Sequence, residues 1–226
     1  MMDLLLSEEL LLIGLDDDSG KARGMFDPGS LHGALLCDLI ERGAVTVDDR
    51  KKVHPTGVAP GHPALDAVLA TIAADPKPRS VSHWTSTLPW KHTKPAELVA
   101  QRLVADGVLS REEGRVLRLF RTVRLPESDP GPERALRERL RAVLVHGTTP
   151  GGHDALLVAL LHTTHQVRAA LSGVDTTQRR AGEKRARAVA TGLADDPVLK
   201  AQYDAAVLAA VMTTVSAVVV TTSGST

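Results

Sequence analysis

Two leucine-rich segments, residues 4–15 and 31–42, flank the turn Asp16-Asp17-Asp18-Ser19-Gly20, and this order constrains the chain to packed helices. Ser7 followed by Glu8 and Glu9 reads as a helix start, with apolar positions continuing through Ile13. In the second segment Leu31, Leu35, Leu36 and Leu39 recur at helical spacing; Ser30 suits the N-cap and Gly43 the C-cap. Aromatic residues make up only 2 % of the chain, so the interior has to be built from Leu, Val and Ala. Small side chains of that kind let helix axes approach closely.

The same reading predicts helices over residues 63–74, 95–106, 133–144, 153–171, 177–193 and 198–220. Residues 44–47 read as a short strand, 54–63 as a Pro/Gly-rich loop, 77–94 as irregular and 115–125 as a β-hairpin arm. No linker long enough to divide the chain interrupts this pattern, so residues 1–226 are expected to form one α-rich domain with a few short strands. The uncharged run at 205–220 is short of the roughly 20 residues a membrane span needs, which favours a buried central helix over a tail anchor.

Twenty-seven basic and 27 acidic residues cancel, which removes the chain-wide positive field of a nucleic-acid-binding protein. The single cysteine, Cys37, excludes an internal disulfide and lies in an apolar stripe with no base beside it. No basic secretory leader opens the sequence, and a reducing cytoplasm is the expected setting. A nucleophile elbow, a P-loop and a dinucleotide fingerprint are all missing from the sequence, so nothing in it argues for catalysis or for a cofactor.

One window stands apart. Between Pro76 and Ala96 there is no acid, while Lys77, Arg79, Lys91 and Lys94 are basic and Trp84 and Trp90 are the chain's only tryptophans. Lysine beside indole suits an anionic membrane surface, where each ammonium contributes about 1 kcal/mol and the ring prefers headgroup depth. The other reading makes the indoles core anchors and the charges a solvated rim. A second basic stretch, Arg179, Arg180, Lys184, Arg185 and Arg187, is either a solvated helix face or a partner of the first around an anion. His162 and His165 have the i, i+3 spacing of metal ligands but no third ligand in pattern, so no metal is expected.

Longer motifs carry a family resemblance. LLLSEELLLIGLDDDSG, SLHGALLCDLIERGAVTV, QRLVADGVLSREEGRVLRLFRTVRLP, ALRERLRAVL and GEKRARAVATGLADDP occur in that order over residues 4–219. Together they resemble the Golgi phosphoprotein 3 family, and the Ala/Arg-rich composition suggests a bacterial member. The resemblance implies a single domain with a buried central helical bundle ringed by amphipathic helices. It also implies a non-enzymatic peripheral membrane protein that binds phosphatidylinositol 4-phosphate through a basic pocket, dips a hairpin into the bilayer and engages a protein client.

Carried over by motif, the family's headgroup-binding arginine falls on His32, its tryptophan near Phe26, and two further arginines near Thr93 and Ala96, with Lys91 and Lys94 close by. Histidine loses its charge above pH ~6.5 and lysine offers a point charge in place of a planar fork, so headgroup recognition is expected to be altered. The candidate headgroup-binding residues are therefore Phe26, His32, Trp84, Trp90, Lys91 and Lys94. The expected partner is an anionic phospholipid headgroup or the inner membrane surface. The alternative is a winged-helix-like nucleic-acid-binding protein, suggested by Arg115, Arg118, Arg121 and Arg124 on the ribbon.

Overall fold

A helix that is apolar on every side has to be enclosed by others, and the first helix of this chain meets that condition. The computed structural model describes residues 3–17, 19–23, 31–86, 90, 92–116 and 120–192. In it α1 (Leu6–Gly14) is buried at every position, including Ser7, Glu8 and Glu9. It packs against α2 (Leu31–Glu41), α5 (Pro95–Ala105), α6 (Gly131–Leu144), α7 (Gly152–Thr163) and α8 (Val167–Ala170). One cluster of buried apolar side chains runs from Leu5 to Ala186.

The outer helices are amphipathic. In α6 the buried positions Glu133, Leu136, Arg137, Leu140, Val143 and Leu144 form a single stripe. The α3 helix (Pro63–Ala74) opens on proline, whose fixed φ suits the first turn, and buries Leu65, Val68 and Ile72. The last described helix, α9 (Thr176–Gly192), is polar and buries only Gly182 and Ala186, small residues that let it lie close against α6, α7 and α8. This is the ringed bundle expected from the sequence. The segment 198–220, expected at its centre, lies outside the described residues, and among those that are described α1 and α7 fill that place.

Two antiparallel strand pairs complete the fold: β1 (Val45–Val47) with β2 (Val53–Pro55), and β3 (Glu112–Val116) with β4 (Phe120–Arg124). The first corrects the expectation of a loop from residue 54. Lys51 adopts a left-handed φ of 58°, and its N–H donates to the Asp48 carbonyl, closing a turn without glycine. The segment 77–94, read as irregular, contains the short helix α4 (Val81–Thr85), capped by the Ser80 hydroxyl, which accepts from the His83 N–H at 3.2 Å. The single helix expected over 153–171 is broken into α7 and α8 at His165, whose φ is 58°. Among the described residues no helix is long and apolar enough to cross a membrane.

Candidate functional site

His32 occupies the first turn of α2, and α2 packs against α4, so the chain's only tryptophans are brought to it from more than fifty residues away. The His32 and Trp90 ring centroids are 5.7 Å apart, those of Trp90 and Trp84 are 5.4 Å apart, and His83 meets Trp84 edge-on at 4.8 Å. The Trp90 indole N–H donates to the Trp84 carbonyl at 2.6 Å.

Both indoles are interior, with Trp84 3 % and Trp90 5 % exposed, and His32 is 5 % exposed. Of the two readings of the tryptophans, the structure bears out the core anchors and corrects the membrane-facing position. In a chain so poor in aromatics they are among the largest apolar bodies available to the core, and the Trp90 N–H has a backbone acceptor in place of water. The surface element is Lys94. Its N–H donates to the Trp90 carbonyl at 3.0 Å, and it begins α5 in a left-handed conformation. Its side chain is 70 % exposed, and its ammonium lies 3.7 Å from Glu97. Arg79, in the same acid-free window, is held by Asp75 at 2.8 Å. Acids flanking the window thus neutralise part of its charge. Phe26 and Lys91 lie outside the described residues.

Residues 6–214 match the family model for Golgi phosphoprotein 3 (GPP34). This chain belongs to the Golgi phosphoprotein 3 family. A comparison with curated proteins gave no match.

Sequence reading missed a set of buried charges beneath this family member's first helix. Asp38, 1 % exposed, accepts the Leu6 N–H at 2.8 Å and the Ser7 N–H at 3.1 Å, capping α1 from the neighbouring helix. Glu8 accepts the Leu5 N–H at 2.9 Å and meets His62 Nε2 at 3.1 Å. Glu9 binds Arg139 and meets His153 Nε2 at 2.9 Å, while Arg139 reaches Asp154 at 2.6 Å and His153 Nδ1 lies 3.5 Å from Glu41. Acids at core positions of two leucine-rich segments were the available signal. The side-chain partners of Glu9 sit on helices over a hundred residues away.

These groups give the fold a signed pH dependence. Burial opposes a charge on His153, but hydrogen bonds to Glu41 and Glu9 outweigh it and raise its pKa from 6.5 to about 10. Its contribution to stability is present in full below pH 6.5 and is lost as pH rises through 10. Burial raises Asp38 from 3.8 and Glu133 from 4.5, each to about 7. Their neutral forms are favoured in the fold, so stability also declines as pH climbs from about 4 to 7. Both effects run the same way. Thermal melts should therefore show Tm falling from pH 7 to pH 10, and His153→Gln should flatten that limb. Because the His153 side chain is 36 % exposed, its discounted share is about 1 kcal/mol, or roughly 2–4 °C. A wild-type Tm that is flat or rises over this range would contradict the assignment.

Proposed function

We propose that this protein is a non-catalytic peripheral membrane protein that docks on anionic lipid surfaces, with a headgroup phosphate held beside His32, Trp90 and Lys94. The observation carrying the proposal is the juxtaposition of His32, at the first turn of α2, with Trp90 at 5.7 Å. A solvent-exposed lysine follows Trp90 by one turn. Trp90 links the other two, its ring beside His32 and its carbonyl accepting the Lys94 N–H, and the proposal takes the three as one wall. The indoles act from the interior, setting the position of His32, so the charge-bearing contact falls to Lys94 and, by sequence, to Lys91.

The β3–β4 hairpin supplies a second contact. Its register sets Arg115 opposite Arg121 and Val116 opposite Phe120, and the connecting sequence is Leu117-Arg118-Leu119. Arginines at paired backbone positions favour an anionic counter-surface. Family membership supports the phosphatidylinositol 4-phosphate class as the headgroup, with recognition altered where histidine stands for arginine. The reading puts the protein at the cytoplasmic membrane face. It is also compatible with the burial of Cys37, the only thiol, whose pKa burial raises far beyond use as a nucleophile.

Flotation with vesicles of phosphatidylcholine, alone or with phosphatidylserine or phosphatidylinositol 4-phosphate, tests the proposal. The protein should float with the anionic vesicles at low salt, and Lys91→Glu/Lys94→Glu should reduce the bound fraction at least fivefold, with the remainder lost at higher salt. Absence from every anionic vesicle at low salt would overturn the reading. Salt-steep retardation of duplex DNA without flotation would overturn it in favour of a nucleic-acid-binding ribbon.

A further inference from the structure

Basic residues from three helices converge far from His32 in the chain. On α9, Arg180, Lys184 and Arg187 follow the i, i+4, i+7 spacing that aligns side chains along one helix face. Opposite them, α7 ends and α8 begins around His165, whose left-handed φ of 58° is uncommon for a residue with a side chain. The two helix faces enclose a hollow of about 610 Å³ lined by His162, His165, Arg168, Arg180, Lys184 and Arg187, with Glu183 the one acid on its wall. That volume lies within the range of small-ligand sites.

Among the described residues the charge inside is not balanced by carboxylates. Glu183 is taken by Arg168 at 2.7 Å, and no carboxylate among the described residues pairs with Arg180, Lys184 or Arg187. Three fixed cations therefore face one cavity, joined by two imidazoles. Arg185, which the sequence groups with them, is directed elsewhere and donates to the Gly147 and Thr148 carbonyls at 2.7 and 3.2 Å. The field is felt locally. Burial lowers the pKa of His162, and Arg187 and His165 lower it further.

We infer that α7, α8 and α9 form a second anion site, one that takes a phosphate-bearing ligand between the His162–Arg168 segment and the Arg180–Arg187 face. Guanidinium groups are suited to phosphate through charge-assisted, bidentate hydrogen bonds, and lysine adds a point charge. The site shares no residue with the His32 wall and stands independently of the lipid-docking proposal.

Calorimetry with inorganic pyrophosphate and with a water-soluble short-chain phosphatidylinositol phosphate tests the inference at low salt. Both should bind, and tighter binding of one or the other identifies a soluble phosphate compound or a lipid headgroup as the natural source. Lys184→Glu/Arg187→Glu, at exposed positions, should weaken pyrophosphate binding at least tenfold, whereas Arg50→Glu, at an exposed position outside both sites, should leave it unchanged. His165→Gly, which suits the positive φ and so preserves the fold, should weaken it about threefold. Saturation with pyrophosphate should raise the NMR-titrated pKa of His162. Failure of wild type to bind either probe, or equal binding by the folded double variant, would overturn the inference, as would a His162 titration unmoved by pyrophosphate.

Discussion

Arg139→Met should destabilise the protein by about 3 kcal/mol, as measured by urea unfolding, while Glu9→Gln/Arg139→Met should recover part of that loss. Glu9 lies in the central helix with only 2 % of its surface exposed, and its carboxylate is divided between Arg139 and His153. Removing the guanidinium leaves a buried carboxylate with the imidazole alone. It also strips Asp154 of its contact at 2.6 Å. Arg139 is half-buried, but removing the partner of a buried carboxylate usually costs more than the pair itself contributes, because the remaining charge stays desolvated. Neutralising Glu9 in the same chain removes that penalty, which explains the partial recovery. A single-variant loss below about 1 kcal/mol, or a double variant worse than the sum of the singles, would show that Glu9 is not dependent on Arg139.

Gly20→Ala should cost a comparable amount, about 2–5 kcal/mol, for a different reason. Gly20 has a φ of +59°, and a β-carbon there would fall on the backbone of Leu125 and Pro126. Its carbonyl accepts the Leu125 N–H at 3.0 Å and its own N–H donates to the Asp16 carbonyl at 2.7 Å. The turn after α1 is thus seated directly on the end of β4, and no flexible side chain is available to give way. Gly61→Ala is the control. Its φ of +66° is similar, but nothing lies within 4 Å of the added carbon, so only the conformational cost of about 1–2 kcal/mol is expected. Equal losses at the two positions would mean that the docking of residues 125–126 onto the turn contributes nothing. The excess at Gly20 should also appear as faster amide exchange in the β3–β4 hairpin.

How far the sequence reveals this architecture depends on whether a signal is local. The helix over residues 63–74 starts at Pro63 and stops before Pro76, and the structure has it at the expected residues. Gly43 and Gly107 mark helix ends, and both adopt positive φ. The break at His165 carries no such mark: a histidine in a left-handed conformation ends α7 where only a glycine would have signalled it. Likewise β2 owes its existence to pairing with β1 across a turn built on Lys51, and pairing of this kind is not written into either segment alone.

The candidate site divides along the same line. The Trp/Lys window and the α9 arginines are visible as strings of letters. That the indoles turn inward toward His32, while Arg180, Lys184 and Arg187 close over the end of α7, is settled by packing between distant elements. The buried acids of α1 and α2 were conspicuous among leucines, but their meaning resides in Arg139 and His153, more than a hundred residues further on.

The most direct test of the docking account uses the tryptophans themselves, since Trp90 adjoins His32, Trp84 adjoins Trp90, and no other tryptophan contributes to the emission. Intrinsic fluorescence should be followed while vesicles containing phosphatidylinositol 4-phosphate are titrated into wild type and His32→Ala. The account predicts a saturable change in the wild-type emission that is absent with phosphatidylcholine alone and is weakened at least threefold in the variant. Emission indifferent to the anionic vesicles, or an identical response after His32 is removed, would contradict it.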